Sequence, residues 1–238
     1  MTVLKTIVCL ANSKKHGGTC FAGLELADEA ISGWIRPVSA RSGHEVNTVE
    51  QTLPDGSTPQ VLDVIEVGLI KPTPTSYQSE NWLLEPQHHW RRVGRWSYED
   101  AATVADQPPT LWSNDSSSTV GINDRVAASQ LDRHKRSIGL VRVERATVVV
   151  ARNPWSGATE VRLHFHYRRA QHELKITDPV YYAACLGKGV GRYGLSDRTL
   201  VTVSLAEPYT APQPGAEAYS YKVVAAIIEP EGPPGGAK

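Results

Sequence analysis

Between Thr159 and Arg169 the chain reads TEVRLHFHYRR, and every second residue is apolar. That period predicts a strand with Val161, Leu163, Phe165 and Tyr167 on a core face and Glu160, Arg162, His164, His166 and Arg168 on the opposite face. Short apolar runs rich in Val and Ile, separated by Gly, Pro and Ser, predict further strands over Leu4–Ala11, Thr19–Leu26, Trp34–Val38, Val61–Lys71, Leu140–Arg152, Glu173–Thr177, Leu200–Glu207 and Ser220–Ile228. In Val61–Lys71 the acidic Asp63 is an exception among Val61, Ile65, Val67 and Leu69 on its face. Helix signals are few. Ser97 caps a predicted helix over Tyr98–Ala105 with Asp100 three residues on. Asp178-Pro179 opens another that stops at Gly187.

Many short strands with few helices predict a mainly β chain, built as small barrels or sandwiches. The stretches Ser39–Gln60 and Asp106–Asp124 are long, polar and rich in Gly, Ser and Pro, so they read as functional or mobile loops. The tail EPEGPPGGAK reads as a disordered end. The 238 residues suit one large domain or two small ones. Lys plus Arg and Asp plus Glu both number 25, which excludes a wholly basic coat and leaves only local anion-binding patches. The three cysteines have no framework spacing, so reduced thiols and a cytoplasmic location are expected. The opening MTVLKTIVCLAN turns polar too soon for a signal peptide, and no apolar run approaches the ~20 residues of a membrane span.

Three segments carry candidate chemistry. In CLANSKKHGGTCFAG, Asn12, Ser13, Lys14, Lys15 and His16 lead into Gly17 and Gly18 between two apolar strands. Lysine is a compact cation for phosphate, and glycine lets a backbone approach a ligand closely. A basic but merely solvated turn is the alternative. The row Arg162, His164, His166 and Arg168 repeats about every 7 Å along a strand, a spacing suited to following a phosphate backbone. An ordinary solvated sheet face is the alternative there. A metal held by His164 and His166 needs a third ligand, for which His172 stands nearest, and no metal or cofactor is expected. The stretch WLLEPQHHWRRVGRW interleaves Trp82, Trp90 and Trp96 with histidines and arginines, either as stacking and phosphate contacts or as core anchors with arginines around them. No nucleophile elbow, HExxH, Walker or dinucleotide pattern occurs.

The segments CLANSKKHGGTCFAGLEL, GWIRPVS, LDVIEV, ENWLL, IGLVRVERATVVV, LKITDP, LVTVSLAEPY and YKVVAAII follow one another from Ile7 to Ile228. In this order they resemble the dual OB-containing domain family of bacteria. The resemblance implies two OB-like β-barrels, expected at 1–135 and 136–230 with a disordered 231–238, the last hairpin completing either barrel. It also implies an association with bacterial defence systems and nucleic-acid or nucleotide binding by analogy of fold. Arg36, Asn81, Trp82, Thr177 and Asp178 lie in matched segments and are carried over as candidate ligand-binding residues.

The reading is a non-enzymatic module for single-stranded or distorted nucleic acid, in a defence or processing complex with a possible protein partner and no membrane. The alternatives are a sensor for a nucleotide-like small molecule, with Lys14, Lys15 and Arg36 clamping phosphate, and a hydrolase using His16 or the strand histidines. An adaptor for an acidic protein is the remaining possibility.

Overall fold

The strand-forming segments are assembled in a computed structural model that describes residues 2–15, 17–27, 30–154 and 156–232. His16, and most of the tail read as disordered, lie outside the described residues. The chain divides into two units, Met1–Thr103 and Val104–Lys238. The stretch 104–135, expected with the first barrel, therefore lies in the second unit.

In the first unit, β1 (Val3–Lys15), β2 (Gly18–Ala27) and β3 (Ala30–Val38) form an antiparallel meander. A long loop leads to β4 (Asp63–Pro72), followed by β5 (Asn81–Leu84) and β6 (Arg91–Arg95). β3 pairs in parallel with β5, β5 pairs with β4, and β4 returns to β1, so the order 1-2-3-5-4-1 closes a ring. Closure depends on β1 coiling far enough to serve two neighbours. Its first part, Val3–Val8, pairs with β4 and Ile7–Lys15 pairs with β2, with a register shift between Cys9 and Ala11. Opposite that bend, a Cβ on Gly23 would stand 1.8 Å from the Val8 carbonyl oxygen, so only glycine fits. Inside the ring Ile7, Phe21, Ile35, Ile65, Leu69 and Trp90 pack together, with Trp90 edge-on to Phe21 at 4.7 Å between ring centres. Trp90 is therefore a core anchor. A short helix, α1 (Tyr98–Thr103), ends the unit. Its start is the expected reciprocal cap: the Asp100 N–H donates to Ser97 Oγ at 3.1 Å and the Ser97 N–H donates to Asp100 Oδ2 at 2.8 Å.

In the second unit, β7 (Arg125–Ala127) and a 3-10 turn (Ala128–Arg133) precede β8 (Ile138–Arg142). Next come β9 (Glu144–Arg152), β10 (Thr159–Tyr167) and β11 (Ala170–Ile176), an antiparallel meander. Helix α2 (Pro179–Gly187) leads to β12 (Gly191–Gly194), β13 (Leu200–Leu205), β14 (Tyr209–Thr210) and β15 (Ala218–Ile228). β11 pairs in parallel with β15, β15 pairs with β13, and β13 pairs with β8. β8 and β9 are the predicted strand Leu140–Arg152 broken at Val143, so this ring closes through the chain itself. The last hairpin belongs to this second ring. The parallel seam is short: Lys175 faces Val223 and Ile176 faces Val224, after which the Thr177 N–H and Oγ1 both donate to the Val224 carbonyl, at 2.9 and 3.0 Å. Val148, Val161, Leu163, Phe165, Leu174, Ile176, Val203 and Val224 fill the ring, on the alternation read from the sequence.

Candidate functional site

The alternation in β10 holds. Val161, Leu163, Phe165 and Tyr167 are buried, and Glu160, Arg162, His164 and His166 are half-buried on the other face. Arg168 is not in that row. The strand stops at Tyr167, Arg168 has φ +53 in the following turn, and its guanidinium donates to the carbonyls of Pro108 at 2.9 Å and Gln107 at 3.0 Å. The predicted row thus loses its last member to a turn.

Strand register adds members that single-strand periodicity does not reveal. Arg162 stands opposite Lys175 of β11 and opposite Val149 of β9, and Val149 stands opposite Arg192 of β12. Residues directly opposite one another point to the same side of a sheet. Arg192, Arg162 and Lys175 therefore form a line across four strands, about 5 Å apart per strand step. Arg192 and Lys175 are exposed. Two residues along, His164 lies between Thr147 and Glu173. Lys175 is recognisable in HELKI as an outward position, whereas Arg192, in the short GRYG strand, gives no sequence signal.

Acidic groups temper this line. Arg162 Nη2 donates to the Glu173 carbonyl at 2.9 Å and lies 3.3 Å from Asp124 Oδ2, and its Nη1 lies 3.6 Å from Glu160. His164 Nδ1 lies 3.3 Å from Glu173 Oε1. Burial pushes the His164 pKa below its ordinary value. The Glu173 carboxylate opposes this, and the Arg192 and Arg162 charges reinforce it. His164 thus takes up a proton less readily than a free imidazole. His172, the possible third metal ligand, points the other way, into the core, stacked on Phe165 at 5.2 Å. Alternation separates it from His164 and His166, and no group of three metal-ligating side chains occurs among the described residues.

The other candidates scatter. In the opening turn, Lys14 is exposed, Lys15 half-buried and Ser13 buried. Asn12 Nδ2 donates to the Pro59 carbonyl at 2.8 Å and so pins the long loop. A Cβ on Gly18 would stand 2.5 Å from the Val46 carbonyl oxygen, so this glycine admits the chain's own backbone rather than a ligand. Arg36 is 5 % exposed and donates to Glu80 Oε1 at 2.6 Å, a buried ion pair across the β3–β5 seam that removes it from any phosphate clamp. Asn81, also buried, donates to Gln78 Oε1 at 3.0 Å. Trp82 packs against the first core with Lys5 Nζ 4.3 Å above its ring. Thr177 fastens the seam described above. Asp178 is 3 % exposed and caps α2, accepting from the N–H groups of Val180 and Tyr181, and it also accepts from Ile227 at 3.0 Å. These five carry architecture.

Two closed rings in which the third and fifth strands pair in parallel are the connectivity of the OB barrel. A family model described as the dual OB-containing domain matches residues 5–227. The chain belongs to the dual OB-containing domain family. No curated protein matches it. OB barrels present ligands with the face of strands two and three. In the first ring of this dual OB chain the central outward positions there, Leu24, Trp34 and Arg36, are buried, and only the start of β3, residues 30–32, is exposed. In the second ring the equivalent strands are β10 and β11, which carry Arg162 and Lys175. Among the described residues no helix is long and apolar enough to cross a membrane.

Proposed function

We propose that the chain is a binding module for single-stranded nucleic acid, with the outer face of β12, β9, β10 and β11 as its contact surface. The line Arg192–Arg162–Lys175 carries this reading. It supplies one cation on each of β10 and β11, the two strands that an OB barrel offers to oligonucleotides, and a third on β12 beyond the Val149 position of β9, flanked by the rings of His164 and His166. Phosphate oxygens would replace Glu160 and Asp124 as partners of Arg162, so the module binds weakly at high salt. A place in a bacterial defence or processing complex, with a protein partner, belongs to the same proposal and draws on the family resemblance alone.

Fluorescence anisotropy with a labelled oligothymidylate tests it. Affinity should fall with salt with a log–log slope of roughly 0.7 per phosphate contacted. Arg162→Gln with Arg192→Gln should flatten the slope by about one to one and a half units. Binding should tighten as pH falls below the ordinary histidine value of about 6.5, and only there, because His164 charges late. Absence of binding at low salt, or an unchanged slope in the double variant, would remove this face from consideration.

A further inference from the structure

In the second unit, Pro108, Pro109, Thr110, Leu111 and Trp112 stand over Ile138, Gly139 and Val141 of β8 and Val203 of β13, leaving a cleft of about 260 Å³. Its floor is apolar, since Leu111, Val141 and Val203 belong to the buried core. Its wall is fixed on several sides. The Pro108 carbonyl accepts from the Tyr167 hydroxyl at 2.6 Å and from Arg168 Nε at 2.9 Å. Trp112 holds φ +61, a left-handed backbone that a bulky residue adopts only under restraint, and its indole N–H donates to the Arg136 carbonyl at 2.8 Å. The walls are therefore held in place without a ligand, as small-molecule sites commonly are.

The polar groups at this cleft are mainly basic. His134 is half-buried, its imidazole kept below its ordinary pKa first by burial and then by the charges of Lys222 and Arg133. Arg136 gives Nη2 to Asp106 at 2.9 Å, one of a guanidinium's five N–H donors. Asp106 is the acid that Arg136 meets, and its other oxygen already accepts from the Leu140 N–H at 3.0 Å. An indole and two prolines line a space slightly smaller than the ~300 Å³ lower bound of typical ligand sites.

We propose that this cleft is a binding site for a small planar aromatic anion, its ring against Trp112 and the apolar floor and its charged group against His134 and Arg136. The site is independent of the β10–β11 face and would be present whether or not that face binds nucleic acid. Isothermal titration of the full chain with 2-naphthoate, and with the neutral 2-naphthamide, tests it. The expected result is one site for the acid, with the amide at least roughly tenfold weaker, since a charged hydrogen-bonded contact is lost. His134→Gln with Arg136→Gln should weaken the acid by a similar factor, with only a small fall in melting temperature from the lost Arg136–Asp106 pair. Arg162→Gln should leave it unchanged. If the native chain gives no heat with naphthoate, or holds acid and amide equally, the proposal is overturned. The acid–amide comparison needs no variant and stands even if the double variant misfolds.

Discussion

His172 shows how much one side chain's direction decides. Its strand alternates, its neighbours His164 and His166 face outward, and it faces the core, fully buried. Burial, and then the Lys222 charge, hold its pKa down at about 4, with the Asn123 backbone opposing and His166 adding slightly. A base with a lowered folded pKa is fully compatible with folding above the unfolded value of about 6.5, and costs stability as pH falls from there towards 4. Denaturant unfolding at pH 7 and pH 4.5 should therefore differ by about 2–3 kcal/mol through this residue. His172→Leu should remove most of that difference, and an undiminished difference would show that other groups cause it. Asp63, an exception to its strand's pattern, also finds its reason at this scale. Buried at the start of β4, it accepts from Arg95 at 2.5 Å and from the Gln60 N–H at 2.9 Å, which fastens β6, a strand exposed at every residue.

Among the elements, α2 has the most legible sequence, and its N-cap does more than a cap requires. Asp178 satisfies two N–H groups of its own helix and one of β15, although burial raises its pKa against those bonds. Asp178→Ala should cost about 2–4 kcal/mol, the loss of a cap plus an orphaned Ile227 N–H. Asp178→Asn, which keeps an accepting oxygen, should cost less, and thermal melting of the pair decides it. Strand positions were legible because period-two burial is written directly in β10 and β11. The ends were less so: Arg168 continues the pattern of TEVRLHFHYRR but sits in a turn, because a left-handed residue there brings its guanidinium to Pro108 and Gln107. The site was half legible. Arg162 and His164 could be read from one strand, whereas Arg192 and Lys175 join them only through the register between strands, which no local pattern encodes. Arg36, Asn81, Thr177 and Asp178 look chemical in sequence and are used up in holding seams and ends.

For the molecule as a whole, the stretch 104–135 matters more than a linker would. Lys222, 1 % exposed with its pKa lowered to about 8 by burial, donates to the Ser113 carbonyl. Arg162 meets Asp124, the Leu140 N–H meets Asp106, and the Tyr167 hydroxyl meets Pro108. A fragment starting at Val104 should therefore melt cooperatively, while one starting at Arg136 should lose at least about 3 kcal/mol, because a buried ammonium and several hydroxyl and amide groups lose their acceptors. Circular-dichroism melts of the two would show it, and equal stability would return that stretch to the role of a connector. The parallel seam of the second ring has a consequence of another kind. β12 stands outside the five-strand ring, against β9 alone, and the ring itself can breathe only by parting two of its strands. The β8–β9 joint is covalent and cannot part, whereas the β11–β15 seam is held by two residue pairs and Thr177. Opening should begin there. In deuterium exchange, amides at the seam should label before those at the centre of β10, and Thr177→Val, which drops one bond and keeps the shape, should hasten that labelling alone. Uniform protection around the ring would mean that the barrel opens only by unfolding completely.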